Sequence, residues 1–214
     1  MPDIQNQSTE NQSPKKVVII GAGGHGRVIA DIVSLSGDVV LGFLDDNDPS
    51  EFPNITILGK LTDIERFKQE ASFIVGIGNN QLRKQIMETF DVDWYTAIHP
   101  TAVITSDVVI GEGTAIMANA VINTGSKLGR GVIVNTAATV DHDNVLEDYV
   151  HISPGVHLGG TVHIGSETWI GIGAVVINNV DICGECIVGA GALVILPIML
   201  KGVYIGVPAK ISAP

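Results

Sequence analysis

The sequence predicts a chain in two parts, a small α/β domain with a parallel sheet followed by a long parallel β-helix. Apolar runs alternate with amphipathic segments up to about Trp94, and aliphatic residues recur at every sixth position beyond Ala97. The composition combines 25 glycines with only 16% charged residues. A helical bundle would carry more Leu, Glu and Lys, whereas the abundant Val, Ile, Gly, Ala and Thr favour strands joined by tight turns.

The first part of the chain alternates predicted strands and helices, after a polar segment, residues 1–14, that is expected to be a disordered tail. Strands are predicted in KKVVII (15–20), DVVLGFLDD (38–46) and SFIVGIG (72–78). Helices are predicted from GAGGHG through about Ser36, in LTDIERFKQE (61–70) and in NNQLRKQIMETF (79–90), the last with an Asn cap. This alternation implies a parallel sheet with helices on its faces.

A six-residue repeat governs the second part. The aliphatic positions form an unbroken series at a spacing of six: Ile104, Ile110, Ile116, Ile122, Leu128, Val134, Val140, Leu146, Ile152, Leu158, Ile164, Ile170, Val176, Ile182, Val188 and Val194. Four positions after nearly every one stands a small or β-branched residue, with Asn144 as the exception, and glycine often follows the aliphatic residue directly.

This repeat is typical of a triangular β-helix, in which each hexad supplies one short strand and one corner. Three hexads make a coil, so the series gives about five coils whose equivalent residues, 18 apart, stack at about 4.8 Å. The aliphatic side chain fills the interior and the small residue fits where the walls crowd. The glycine is expected to tolerate the backbone angles of the corner.

Charge and composition exclude several classes of partner. The net charge of −11 argues against nucleic acid and anionic membranes, because neither would be attracted. The sequence has no apolar stretch of 18 residues and no signal-like N-terminus. We therefore expect a cytoplasmic protein that does not insert into a membrane. Cys183 and Cys186 lack the second pair of ligands that zinc would need, and we expect two small buried side chains.

The segment GAGGHG at 21–26 matches the G-x-G-x-x-G pattern between a strand and a helix. Asp45, about 20 residues on, stands where an NAD enzyme keeps its ribose-binding acid. Only about 80 residues separate the tail from the repeat, room for one mononucleotide-binding half rather than two. The amides of Gly23 and Gly24 at a helix N-terminus could equally hold the diphosphate of another nucleotide. A tight turn without a ligand is the remaining alternative.

The segment VDHDN at 140–144 carries a candidate general base. His142 is the second residue after Val140, near a corner and facing outward, where it contributes nothing to the coil interior. A neutral imidazole can remove a proton from an attacking amine near neutral pH. Asp143 is the candidate to orient the ring, provided that the corner turns between the two residues, and Asp141 is the competing candidate. An ordinary surface turn is the alternative.

Three histidines follow at a spacing of six, which raises the question of a metal site. His151, His157 and His163 fall on successive walls of the predicted coil and cannot converge on one ion within a chain. A site between subunits stays open, but no metal is predicted. His157 and His163 are expected to be solvated corner residues.

Several short motifs resemble the hexapeptide-repeat acyltransferases, and more closely the sugar O/N-acetyltransferases of the bacillosamine and perosamine pathways. The motifs are GAGGHG (21–26), FLDD (43–46), IGNN (77–80), HPTA (99–102), NTAATVDHD (135–143) and GVPAK (206–210). The resemblance implies a Rossmann-like nucleotide-sugar-binding domain over 15–96 and a left-handed β-helix acyltransferase domain over 97–214. It also implies acetyl-CoA as co-substrate, no metal, and a homotrimer.

The resemblance further implies roles for individual residues. Those implied for the nucleotide sugar are Gly23, Gly24, His25, Asp45, Asp46 and Gly78. Those implied for acetyl-CoA are His151, beside the thioester, and Gly160, Ile172 and Ala190. His142 would be the catalytic base and Asp143, often Glu in the family, its orienting acid. Asn135 is a weaker candidate for binding near the base.

The leading hypothesis is an acetyl-CoA-dependent N-acetyltransferase acting on the 4-amino group of a nucleotide-linked 4-amino-4,6-dideoxy sugar. Acetyl-CoA would lie in a groove between two subunits. Three alternatives stay open: O-acetylation of a sialic-acid-like sugar, a non-catalytic solenoid that binds nucleotide sugars, and a metal-dependent hydratase. The sequence leaves the nucleotide (UDP, GDP or dTDP) undetermined.

Overall fold

The structure, a computed structural model, describes residues 13–47 and 55–212, so nearly all of the predicted disordered tail lies outside the described residues. The N-terminal elements are β1 (Lys16–Ile20), α1 (Gly24–Leu35), β2 (Val39–Leu44), β3 (Ile57–Gly59), a 3₁₀-helix (Leu61–Arg66), β4 (Ser72–Val75) and α2 (Asn80–Thr89). The four strands form a parallel sheet in the order β3-β2-β1-β4. The Asn79 side chain caps α2 as predicted, accepting a hydrogen bond from the Leu82 N–H.

The α-helix predicted over residues 61–70 is wrong. The backbone forms a 3₁₀-helix that ends at Arg66, where the N–H of Phe67 bonds to the carbonyl of Ile64. The N–H groups of Glu70 and Ala71 then bond back to the Phe67 carbonyl and reverse the chain. Because β4 begins directly afterwards, the segment has no room for further helical turns. The short edge strand β3 was not predicted.

The second part of the chain is a parallel β-helix with a two-strand cap. Its strands are β5 (Ala97–Ile98), β6 (Val103–Ile104), β7 (Val109–Ile110), β8 (Ala115–Ile116), β9 (Val121–Ile122), β10 (Lys127–Leu128), β11 (Ile133–Val134), β12 (Thr139–Val140), β13 (Val145–Leu146), β14 (His151–Ile152), β15 (His157–Leu158), β16 (His163–Ile164), β17 (Trp169–Ile170), β18 (Val175–Val176), β19 (Asp181–Ile182), β20 (Ile187–Val188), β21 (Leu193–Val194), β22 (Val203–Ile205) and β23 (Lys210–Ile211). Paired residues are 18 apart, as in Ile133 beside His151.

The strands stack into three walls, as the hexad pattern predicted. The first wall runs β5-β8-β11-β14-β17-β20 and continues into β22 and β23, the second runs β6-β9-β12-β15-β18-β21, and the third runs β7-β10-β13-β16-β19. The aliphatic hexad residues from Ile116 to Val194 are at most 3% exposed. The predicted parallel β-helix with an aliphatic interior is therefore confirmed.

Glycine is needed after the aliphatic residues for a different reason from the one expected. The positive φ angles of the corners occur two positions later, often on residues other than glycine, such as Asp143 (+57°) and Glu167 (+60°). A Cβ on Gly111 or Gly171 would instead lie 2.4 Å or 2.6 Å from the backbone of the next coil. These glycines are needed because stacked coils approach closely, and not because of their backbone angles.

The buried side chain of Arg83, on α2, joins the two parts of the chain. It is 1% exposed, and its guanidinium donates to the β-helix carbonyls of Gly131 (2.7 Å) and Tyr149 (2.8 Å). The remaining donors bond to the carbonyls of Ile77 and Gly78 and to the side-chain oxygen of Asn80. Burial lowers the pKa of Arg83 to about 10, so the side chain is still charged at neutral pH.

Arg83→Met should strongly destabilise the protein. The substitution removes a buried hydrogen-bond donor and leaves the carbonyls of Gly131 and Tyr149 unpaired at the domain interface. We expect the free energy of unfolding, measured by urea denaturation, to fall by at least about 3 kcal/mol. Arg66→Met is the control, because Arg66 is exposed and its contacts with Asp63 and the Phe67 ring lie at the surface, so the change should be within about 0.5 kcal/mol. Equal stability of the two variants would contradict a locking role.

Candidate functional site

A cleft of about 420 Å³ opens at the carboxyl edge of the N-terminal sheet. The ends of β1, β2 and β4 meet there, because the carboxyl ends of parallel strands share one edge. The lining includes all the residues that the resemblance implied for a nucleotide sugar: Gly23, Gly24, His25, Asp45, Asp46 and Gly78. The structure thus brings three distant segments of the chain together around one cleft.

The N-terminus of α1 faces this cleft and is open to an anion. Because the N-cap residue is Gly23, no side chain caps the first N–H groups of the helix. The first turn holds no acidic residue either. The free N–H groups and the positive end of the helix dipole suit a phosphate. A Cβ on Gly23 would meet nothing within 4 Å, whereas one on Gly26 would lie 1.9 Å from the Gly21 carbonyl oxygen. Packing therefore requires Gly26, while Gly23 leaves space for a ligand.

The two aspartates after β2 hold the surrounding loops. Asp45 accepts hydrogen bonds from the N–H groups of Ala22 (2.7 Å) and Asn47 (2.8 Å), and Asp46 accepts one from the Leu61 N–H (3.0 Å). Asp45 thereby ties the glycine turn to the end of β2.

Two histidines lie where the cleft meets the first wall. The ring centroids of His25 and His151 are 6.3 Å apart. Burial, and then the positive charge of Arg83, lower the pKa of His25 to about 4 and that of His151 to about 3. Both rings are therefore neutral near pH 7. Asn135 Nδ2 lies 3.2 Å from His151 Nε2, and the Trp169 ring stacks on His151 with the centroids 6.2 Å apart.

A second cleft of about 600 Å³ continues along the first wall. It is lined by Gly78, Asn79, Asn80, Gln81, His151, Glu167, Trp169, Glu185, Cys186, Ile187 and Lys201. Gly78 lines both clefts, so they are neighbours on either side of the loop after β4. His151, suggested by resemblance to sit beside a thioester, lies at this junction.

The predicted pair of His142 and Asp143 forms at an exposed corner between β12 and β13. His142 Nδ1 lies 2.9 Å from Asp143 Oδ2, because the left-handed φ of Asp143 turns its side chain to the face that holds the ring. The competing Asp141 instead accepts hydrogen bonds from the backbone N–H of His142 (2.9 Å) and from Asn123 Nδ2 (2.9 Å). The hydrogen bond to Asp143, then the charges of Asp141 and Asp143, raise the pKa of His142.

Gly160 lies one coil further along, directly against the His142 ring. A Cβ at position 160 would come within 2.4 Å of His142 Nε2, so only glycine leaves the ring in this place. The two residues are stacked at the same corner, where the Thr161 N–H bonds to the His142 carbonyl at 2.9 Å. Gly160 therefore sets the position of the imidazole.

The residues suggested for acetyl-CoA do not converge within one chain. Gly160 stands at the corner between the second and third walls, and His151 lies on the first wall. Ile172 and Ala190 stack at the corner between the first and second walls, where the Gly191 N–H bonds to the Ile172 carbonyl. A groove lined by all four would need two copies of the chain, so the intersubunit groove stays a prediction.

Two buried polar residues of the site region were not predicted to have a role. Arg83 and Asn144 are 1% and 0% exposed. On the predicted helix nothing distinguishes Arg83 from a surface arginine, because its partners are carbonyls far away in the sequence. Asn144 did leave a signal, since it is the exception among the small residues of the repeat.

The two other histidines of the series and the two cysteines form no metal group in the described part of the chain. His157 and His163 lie in strands β15 and β16 rather than at corners, beside Thr139 (2.8 Å) and Glu147 (2.8 Å), because the residue before each aliphatic position faces outward. Cys183 is partly buried and Cys186 is buried, and both are free thiols. Among the described residues, no three His, Cys, Asp or Glu side chains are grouped to hold a metal ion.

No helix within residues 13–47 and 55–212 is both long enough and apolar enough to cross a membrane.

Residues 16–90 match the family model described as PglD N-terminal domain. The chain is 37% identical over 116 residues to the UDP-N-acetylbacillosamine N-acetyltransferase of Bacillus subtilis (strain 168), covering 49% of this chain and about half, 52%, of that relative. It is 30% identical over 183 residues to the GDP-perosamine N-acetyltransferase of Escherichia coli O157:H7, covering 81% of this chain and 82% of that one.

Solved structures resemble the whole described chain. The acetyltransferase domain of PglB from Neisseria gonorrhoeae in complex with acetyl coenzyme A has a TM-score of 0.89 and 38% identity, covering 93% of this chain and 100% of that one. PerB from Caulobacter crescentus, in complex with CoA and GDP-perosamine, has a TM-score of 0.88 and 36% identity, covering 92% and 97%. These likenesses confirm the predicted fold class, a Rossmann-like domain followed by a left-handed parallel β-helix.

Proposed function

The chain belongs to the family of nucleotide-sugar N-acetyltransferases, and we propose that it transfers the acetyl group of acetyl-CoA to the 4-amino group of a nucleotide-linked 4-amino-4,6-dideoxy sugar. The observation that carries the proposal is the pair of His142 and Asp143, 2.9 Å apart on an exposed corner of the β-helix. Coil packing does not require these polar side chains, and their geometry is that of a base with its orienting acid.

The first cleft is the proposed place of the nucleotide diphosphate. The amides of Gly23 and Gly24 at the start of α1 would bind the phosphates. This local positive end matters because the chain as a whole carries a net charge of −11. His25, Asp45, Asp46 and Gly78 complete the lining, and the sugar would extend past Gly78 towards the second cleft.

The chemistry follows from the protonation state of His142. The neutral sugar amine attacks the thioester carbonyl carbon, and His142 Nε2 accepts the proton that the nitrogen loses as the C–N bond forms. Asp143 holds the Nδ1–H in place and stabilises the resulting imidazolium. The C–S bond then breaks, and the imidazolium returns the proton to the sulfur of CoA.

The positions of base and cleft support an assembly of subunits. His142 and Gly160 stand at one corner, whereas the clefts and His151 belong to the first wall. We propose that the corner of one subunit faces the first wall of another, and that acetyl-CoA lies in the groove between them with His151, Ile172 and Ala190. The homotrimer expected from the resemblance would repeat this groove three times.

His142→Ala should abolish most of the turnover. We expect thiol release from acetyl-CoA with one member of a panel of UDP-, GDP- and dTDP-linked 4-amino-4,6-dideoxy sugars, lowered by at least about a hundredfold in the variant. His157→Ala, an outward-facing histidine on the next strand of the second wall, is the control and should keep full activity. No thiol release with any amine would contradict the proposal, and release with free sialic acid alone would favour O-acetylation.

Asp143→Asn should move the pH dependence of kcat/KM. The hydrogen bond and charge of Asp143 raise the pKa of His142, and a general base works only while neutral, so activity falls as the pH drops below that raised pKa. Removing the charge lets the pKa fall towards about 6.5, which shifts the acid limb to lower pH while the maximal rate decreases.

A pH profile of kcat/KM between about pH 5.5 and 9 would measure this shift. Asp141→Asn is the control, because Asp141 bonds to the His142 backbone and not to its ring, so its shift should be smaller. Superimposable profiles of Asp143→Asn and the unmodified protein would contradict the orienting role of Asp143.

Gly23→Ala should weaken nucleotide binding without affecting folding. The added methyl group meets nothing within 4 Å in the protein and Gly23 has a φ of −70°, so the melting temperature should not change. The methyl group would occupy the space proposed for the diphosphate, and we expect about a tenfold weaker Kd for the preferred nucleoside diphosphate by calorimetry. Thr89→Ala, at the far end of α2, is the control. An unchanged Kd would place the diphosphate elsewhere.

A further inference from the structure

Asn144 interrupts the interior stack beneath the His142 corner. The equivalent positions of the other coils at this corner are Val108, Ser126, Val162 and Val180. Asn144 is 0% exposed, and a buried amide in such a stack is costly unless its hydrogen bonds are made. The residue therefore needs a reason that the packing of the coil does not supply.

The side-chain amide of Asn144 bonds to the backbone that carries the base. Its Nδ2 donates to the carbonyls of Asp141 (2.6 Å), His142 (3.3 Å) and Gly159 (3.0 Å). Its Oδ1 accepts a hydrogen bond from the Val162 N–H at 3.2 Å. One interior side chain thus holds both residues before Asp143, and also the residue before Gly160.

We propose that Asn144 is the positioning residue of the base, fixing from the interior the corner on which the His142 ring lies between Asp143 and Gly160. The inference rests on the proposed function only in giving His142 the role of base. The bond between His142 and Asp143 joins neighbouring residues, and Asp143 holds a φ of +57°. A small change in the backbone at this corner would therefore separate ring and carboxylate.

Thr114 shows what an interior polar residue does where no base is present. At the corner between the third and first walls, its hydroxyl bonds to the Gly129 carbonyl (3.1 Å) and accepts from the Val132 N–H (3.2 Å). Like Asn144, Thr114 is 0% exposed and joins its own coil to the next. It makes no bond to the residues of its own turn, whereas Asn144 bonds to two of them.

Two carboxylates act on the charge of the His142 ring. Asp141 and Asp143 flank His142 on the corner itself. Asp107, two coils away in the same stack, bonds to the hydroxyl of Thr124 and to the N–H of Gly125 rather than to the ring. The titration of His142 thus reports mainly its contact with Asp143.

The test compares Asn144→Val with Thr114→Val. Asn144→Val removes the donor to three carbonyls and the acceptor of one N–H group, whereas Thr114→Val removes the donor to one carbonyl and the acceptor of one N–H group. Valine already occupies position 162 of the same stack as Asn144. We expect both variants to lower the melting temperature, Asn144→Val by more, so activities are compared at a temperature at which both variants are folded. Only Asn144→Val should lower kcat/KM, by about tenfold to a hundredfold, because the base is misplaced. Asn144→Ser, which matches Ser126 in the stack, is the second variant and should show the same selective loss.

A histidine NMR titration gives a readout that needs no turnover. The His142 signal, assigned by its loss in His142→Ala, should titrate at a lower pH in Asn144→Val than in the unmodified protein, and should not move in Thr114→Val. Unchanged titration and activity in both Asn144 variants would overturn the inference. If the titration moves while His142→Ala remains active, the positioning role stands and the role of His142 as base fails.

Discussion

The arrangement of the site depends on the hydrogen bonds that the buried guanidinium of Arg83 donates. The five donors of this charged group meet neutral oxygens, two of them on the β-helix and three on its own side of the interface. Because these bonds hold the loop at Gly78, they fix a residue that lines both clefts. The desolvation of such a charge is costly, and only a complete set of hydrogen bonds offsets it. The same charge helps to keep His25 and His151 neutral.

The corner proposed to hold the base shows how a repetitive scaffold can carry a specific site. Corner residues with a left-handed backbone recur along the β-helix. At one corner the turn positions hold His142 and Asp143, the interior position holds Asn144, and the next coil holds Gly160. The aliphatic interior continues on both sides of this corner along the β-helix.

Much of the fold could be predicted because its determinants are local or periodic. The aliphatic hexads set three walls, and the strand, glycine turn and helix from Lys16 to Leu35 follow from short-range signals. Errors arose where a neighbouring element decided the outcome. The segment after Leu61 became a 3₁₀-helix because β4 begins soon after it, and Gly111 is required by the backbone of the next coil rather than by its own φ.

The sequence by itself determined the two-part architecture and the outward-facing position of the candidate base, because strand–helix alternation and six-residue spacing translate directly into positions in space. The residues of the first cleft were suggested by the resemblance of short motifs, and the structure groups them at one sheet edge. Only the tertiary structure decided that Asp143 rather than Asp141 contacts the His142 ring, since the choice depends on one φ angle. It also decided the role of Arg83, whose partners at Gly131 and Tyr149 are backbone carbonyls. Every residue carries such a carbonyl, so no side-chain pattern could have indicated which ones a buried cation would meet.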